Sequence, residues 1–249
     1  MSLLSIRFLL FFLILILGYY ILPSKIRWVW LLLGSLTFYA IGSLKCLPLL
    51  LFTALQTYGA ALLLGKLNKK IREDLKRIED RTARKAEKEK LIQEKKGIVA
   101  VSLILNFAIL FAFKTSYLWH GVPLVLPLGI SFYTFQTIGY LIDVYRARFE
   151  PEKNLFHYLL FATYFPQLIQ GPINRYEQLF PQFFVERKFE GKMLRRGFWL
   201  FLWGAFKKLV ISDRTALFVH TVLGEGMSDT PGVMIVLGIF LFNLQLYTD

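Results

Sequence analysis

The chain has 249 residues and a formal net charge of +13; it is 55% hydrophobic and 16% aromatic, with a mean hydropathy of +0.49. A water-soluble domain cannot bury that much apolar surface, because each helix turns only one face to a core, so a soluble globular enzyme is excluded. Charge is also concentrated: 20 of the 31 residues in 66–96 are charged, which points to a membrane protein with one hydrophilic insert.

A helix that crosses a hydrocarbon core of ~30 Å needs about 20 residues. The first apolar run, Phe8 to Leu22, ends at Pro23 and the basic pair Lys25 and Arg27. No small-residue cleavage site follows it and a second run starts at once, so it reads as an uncleaved anchor rather than a signal peptide. Trp28 to Ile41 is the second span, with Trp28 and Trp30 as interfacial anchors, and Cys46 to Leu64 is the third. The insert Lys66–Lys96 is helical in pattern: Glu73–Arg77 and Asp80–Arg84 stand four apart, and Ile71, Leu75 and Ile78 form a narrow apolar stripe. It reads as a solvated, salt-bridged helix near the membrane surface.

The chain re-enters the bilayer at Ile98 and runs to about Trp119. Val122 to Ile142 is uncharged but interrupted by Pro123, Pro127 and Gly129. Asn154 to Asn174 is also uncharged and holds Pro166, Gly171 and Pro172. Gly197–Ile211 carries Lys207 and Lys208 and reads as an interfacial or partial entry. Thr215–Leu223 is too short to cross, and Gly232–Thr248 is apolar throughout. The fold class is therefore all-α: a polytopic transmembrane bundle with re-entrant or broken helices and one charged cytoplasmic helix. Residues 1–65 hold about three spans, 66–96 the charged helix and 97–249 the remaining membrane core. Basic residues fall mainly on one side, with 13 positive charges in the insert alone. The positive-inside rule puts the insert in the cytoplasm and the N-terminus outside. The same rule explains the basic excess without nucleic acid.

Pro127 to Gln136 is unusual for a lipid-facing helix. Pro127 lacks a backbone donor, Gly129 permits close approach, and Ser131, Tyr133, Thr134 and Gln136 bring polar groups that hydrocarbon penalises. They serve either as helix–helix glue or, for Tyr133 and Gln136, as the lining of a wet channel. Asp143-Val144-Tyr145-Arg146 reads as an interfacial ion pair closing that helix. Tyr164 to Arg175 breaks its helix twice within seven residues, at Pro166 and at Gly171-Pro172. Broken backbone at membrane depth is tolerated only when buried in protein or lining water. This segment is the leading candidate site, with an ordinary loop as the alternative. His120, His157 and His220 each stand isolated, without a carboxylate or hydroxyl spaced to build a catalytic pair, and no metal-spaced cluster occurs. The single cysteine, Cys46, excludes an internal disulfide framework and reads as a buried, inert thiol.

The ordered blocks Pro127–Gln136 with Asp143–Arg146, then Gln170-Gly171-Pro172-Ile173-Asn174-Arg175, then Arg196–Lys208 with Asp213-Arg214, resemble the membrane-bound O-acyltransferase family. The nearest subgroup is the bacterial alginate and cell-wall polysaccharide O-acetyltransferases. The resemblance covers essentially the whole chain. It implies an acyl transfer, with acetyl expected, from a cytoplasmic acyl-CoA or acyl-carrier thioester to a polysaccharide hydroxyl outside the bacterial plasma membrane. It also implies no bound cofactor or metal, and as partners the bilayer, a polysaccharide or cell-wall acceptor, and an acetylation protein or acyl carrier protein. Family members are nearly twice this length, so their catalytic histidine is expected beyond Asp249 and no catalytic residue is assigned within the chain; alone it is expected to be an inactive fragment. By resemblance, Gln170, Gly171, Pro172 and Arg175 join Tyr133 and Gln136 in the channel wall, and Arg196, Lys207 and Lys208 are donor-binding candidates. A transporter or flippase segment with discontinuous helices is the alternative from another class, although no internal repeat is visible.

Overall fold

In the computed structural model, residues 5–73, 80–120, 127–224 and 231–248 are described, and among them the chain is helical throughout, without a strand. The helices are α1 (Ile6–Ile21), α2 (Arg27–Ser43), α3 (Leu47–Glu73), α4 (Arg81–His120), α5 (Ile130–Tyr145), α6 (Leu155–Thr163), α7 (Phe165–Gln170), α8 (Tyr176–Leu179), α9 (Gly191–Phe206), α10 (Asp213–Leu223) and α11 (Gly232–Thr248). Two helical stretches, Ser24–Glu73 and Arg81–Ser116, are long and apolar enough to cross a membrane, and Ile6–Ile21 and Gly232–Thr248 are shorter apolar helices.

The charged stretch 66–96 is not a helix of its own. Lys66 to Glu73 continue α3, and Arg81 onward opens the 40-residue α4. Helix propagation is cheap once a nucleus exists, and Lys, Arg and Glu are good helix formers, so each apolar helix simply runs on into charged sequence. Of the expected pairs and stripe, Arg77, Leu75 and Ile78 lie outside the described residues. Asp80 turns its carboxylate to Thr82, accepting from its N–H at 2.9 Å and its hydroxyl at 2.6 Å as a cap on α4. Lys70 bonds Glu87 across the two helices at 3.3 Å.

The chain divides into two compact units, a larger one over Leu9–Arg187 and a smaller one centred on Lys188–Asp249. In the larger unit α5 is the pivot, packing on α3, α4, α6 and α7. Its core joins Leu64 of α3, Leu141 and Val144 of α5, and Tyr158, Leu160 and Phe161 of α6. The C-terminus of α5 is fully capped. The Ile142 carbonyl accepts from the Arg146 N–H, that of Asp143 from Arg148 and that of Val144 from Ala147. Asn68 Nδ2 adds a second bond to the Val144 carbonyl at 2.7 Å, and Lys95 Nζ reaches the Tyr145 carbonyl at 2.8 Å. A cation and donors at this end complement the helix dipole. The partner of Asp143 is Arg148, at 2.9 Å, and not Arg146. Ala147 takes a left-handed φ of 55°, which turns the chain back and brings Arg148 over the acid.

In the smaller unit α10 packs on α11, where Gly238 lets Leu223 and Val222 approach. The α9 helix buries none of its residues, and Phe198, Trp199, Leu200 and Trp203 stand open. Lys207–Ser212 forms a π-helical turn between α9 and α10.

Candidate functional site

The two breaks expected from proline and glycine meet each other. Pro127 is buried, and the chain enters α5 through Gly129, which adopts φ 65°, ψ 20°. A Cβ at Gly129 would lie 2.2 Å from the carbonyl oxygen of Leu168 in α7, so only glycine allows this approach. On the other side, Tyr164 turns out of helix at ψ 109°, α7 restarts with Pro166 in its first turn, and Gly171 ends it in extended conformation. The Phe165 N–H freed by the break donates to Ser35 Oγ of α2 at 3.3 Å. The backbone freed at Phe165 is therefore satisfied inside the protein, as hydrocarbon requires, whereas Pro166 and the chain after Gly171 lie at the surface.

Tyr133 and Gln136 are both buried, at 1% and 2% exposure. Gln136 Nε2 donates to the Phe161 carbonyl at 2.7 Å and ties α5 to α6. The Tyr133 hydroxyl approaches that of Tyr39 in α2, and neither meets a partner at hydrogen-bonding geometry. Gln167 of α7 is 4% exposed, and neither its amide nitrogen nor its carbonyl oxygen has a partner. Orphaned buried polar groups are costly, and these three gather where the two breaks meet. Tyr39 carries no signal in the sequence. Gln167 lies inside the broken segment, but its spacing alone did not single it out.

Gly171 to Arg175 forms an extended strap. Gly171 is half-buried, while Pro172 and Arg175 are exposed; the side chain of Gln170 lies outside the described ones. The strap ends at Tyr176, whose ring is stacked between Phe149 at 4.8 Å and Phe180 at 4.4 Å. Its hydroxyl donates to Glu152 Oε2 at 3.1 Å. Burial, and then the neighbouring Glu152 charge, push the Tyr176 phenol well above its ordinary value. His157 is not isolated: its Nδ1 lies 3.9 Å from Glu152 Oε1, and its ring packs edge-on against Trp28 at 4.5 Å. The carboxylate lies five positions upstream, across the N-terminus of α6, a spacing that no pair rule flags. His120 falls outside the described side chains. Among the described residues, no three His, Cys, Asp or Glu side chains gather as metal ligands.

The donor candidates belong to the smaller unit. Arg196 is exposed on α9, Lys207 opens the π-helical turn, and Lys208 pairs with Asp213 at 3.2 Å. Ser212, at the end of that turn, is buried with its hydroxyl unpartnered. A mostly apolar groove of about 610 Å³ runs between α3 and α4, lined by Gln56, Ala60, Gly97 and Ser102, and is separate from the broken segments.

The chain's described residues are all-helical, expose many Phe, Leu and Trp side chains, and include two helical stretches long and apolar enough to cross a membrane, the pattern of the membrane-embedded class. Its relatives are more specific. It is 31% identical to the peptidoglycan O-acetyltransferase of Helicobacter pylori over 94% of this chain and 48% of the relative. It is 31% identical to the probable alginate O-acetylase of Azotobacter vinelandii over 97% of this chain and 47% of the relative. It is 36% identical to the probable alginate O-acetylase of Pseudomonas aeruginosa over 51% of this chain and 24% of the relative. No family model and no solved structure matches. The chain is a homologue of these polysaccharide O-acetyltransferases, and the resemblance to the membrane-bound O-acyltransferase family holds on that ground. The transporter alternative finds no support among them. The chain spans about half the length of the curated relatives it matches.

Proposed function

We propose that the chain forms part of an O-acetyltransferase of a bacterial cell-envelope polysaccharide. The observation that carries this is homology over 94–97% of the chain to proteins named for acetylating peptidoglycan and alginate. In the reaction, an acceptor hydroxyl attacks the thioester carbonyl of an acyl-CoA or acyl-carrier donor. The C–O bond forms, the C–S bond breaks, and the hydroxyl proton leaves to a base and thence to the thiolate.

The proposed substrate path follows the junction of the broken helices, with Tyr133, Gln136, Gln170, Gly171, Pro172 and Arg175 in its wall. Tyr39, Tyr133 and Gln167 leave buried polar groups at this junction, which supports it as the polar part of the helix core. Arg196, Lys207 and Lys208 are proposed to attract the anionic donor. The proposed setting is a multi-pass protein of the bacterial plasma membrane, N-terminus outside and 66–96 cytoplasmic, working with an acetylation partner or an acyl carrier protein. The deciding experiment compares alkali-released acetate from envelopes of cells with and without the full-length gene. Loss of acetate on deletion, restored by complementation, is expected; unchanged acetate on every envelope polymer overturns the proposal.

A further inference from the structure

The strap from Gly171 to Arg175 is held at both ends, and the two anchors differ in kind. At its start Gly171 N–H bonds the Gln167 carbonyl at 3.2 Å, and α7 itself is fixed by the contact between Gly129 and Leu168. At its end the Arg175 carbonyl accepts from the Gln178 and Leu179 N–H groups of α8, and Tyr176 is held by stacking on Phe149 and Phe180, by the edges of Tyr140 and Phe161, and by one hydroxyl bond to Glu152. Glu152 stands on a rigid base. Its N–H donates to the Tyr140 hydroxyl at 2.9 Å, and its Oε1 accepts the Asn154 N–H at 2.8 Å. The turn that carries it is pinned to α3 on both flanks. Tyr58 donates to the Lys153 carbonyl at 2.6 Å, and Pro151 fits against Gly65, where a Cβ would come within 2.3 Å. Only 18% of the Glu152 side chain is exposed, so its bond to Tyr176 is poorly screened. His157 faces the same carboxylate from α6 and needs no movement to pair with it.

We infer that Glu152 is a positioning residue: its carboxylate, through the Tyr176 hydroxyl, sets the register of the strap that carries Gly171, Pro172 and Arg175. The functional half of this inference rests on the acetyltransferase reading. The mechanical half does not, because it concerns only where the strap sits. Ring contacts with Phe149, Phe180, Tyr140 and Phe161 set the plane of the Tyr176 ring but not how deep its hydroxyl end sits. The hydroxyl bond to Glu152 fixes that depth, and small misplacements of groups around a reacting centre are costly in rate.

The test uses the full-length protein with Cys46 replaced by alanine and a reporter cysteine at Ile173, which is 54% exposed. Tyr176→Phe keeps the ring stack and deletes only the hydroxyl. It is expected to change the maleimide labelling rate at the reporter by about 3- to 10-fold, the scale of one lost hydrogen bond of ordinary strength, since at 3.1 Å this one is long for a hydroxyl donor. Glu152→Gln is expected to do the same, and the double variant should be no worse than either single one, since both remove one interaction. In the transfer assay the same variants should lower kcat about 3- to 10-fold at unchanged amounts of folded protein, with Glu152→Asp recovering part of the loss. Labelling rates equal to the parent in both single variants overturn the inference, as do effects that add in the double variant. If the parent transfers no acetyl group yet the reporter responds as described, the acetyltransferase reading fails and the positioning role of Glu152 stands.

Discussion

The close approach of Gly129 to Leu168 makes a strong demand on the chain, and Gly129→Ala tests it. Two costs arise. A non-glycine residue at φ 65° carries about 1–2 kcal/mol of backbone strain. The new methyl, 2.2 Å from the Leu168 oxygen, also has to push α7 away by about an ångström, and overpacking of this kind costs about 1–3 kcal/mol. The sum is about 2–5 kcal/mol. Leu168 and Ile130 share a core cluster with Cys46, which is 6% exposed, so the native thiol reports opening of this junction. Its labelling by a maleimide in detergent, under conditions where reclosing outpaces reaction, should accelerate by about 30- to 4,000-fold, at tenfold for each 1.4 kcal/mol. Gly139→Ala in the same helix is the control. A Cβ there meets nothing within 4 Å, so the helix should gain up to about 1 kcal/mol. If Gly129→Ala left Cys46 reactivity within about threefold of the parent, the meeting of the two breaks would be refuted.

Gln136→Leu should destabilise the larger unit by about 1–3 kcal/mol, because the buried Phe161 carbonyl loses its donor; the fall in unfolding midpoint in detergent measures this. Arg72 beside Glu150, at 2.9 Å, holds that carboxyl below its ordinary value. A lowered folded-state value stabilises above the unfolded carboxyl range and ceases to do so as pH falls through the lowered one. Arg72→Gln should therefore cost a small amount of stability at pH 7 and nothing at low pH, small because both groups are exposed. A parallel loss at all pH values in unfolding scans would show that the ion pair is not its source. With Glu87→Cys in the Cys46→Ala background, an impermeant thiol reagent should label inverted vesicles and spare intact cells; labelling of intact cells would reverse the proposed topology.

Each break was legible because its cause is local. Proline lacks a donor and glycine tolerates a left-handed turn wherever they occur, so Pro127, Gly129, Pro166 and Gly171 announce themselves in any context. The charged stretch was legible as hydrophilic and helical but not as two helix ends, because pattern shows where a helix tolerates water and not where it turns. Proximity in sequence points Asp143 to Arg146, whereas the left-handed turn at Ala147 brings Arg148 to it instead. His157 looked solitary for the same reason: its carboxylate neighbour is close only because α6 begins between them.

Composition and periodicity by themselves determined that this chain is helical, belongs in an apolar medium and must interrupt its helices at two places, since solvation and backbone sterics act residue by residue. Only the tertiary structure decided that the interruptions face each other through Gly129 and Leu168, that Gln136 is spent on Phe161, and that Glu152 reaches Tyr176. Those contacts join residues far apart in the chain, and no local preference can encode them; they follow from how the helices pack.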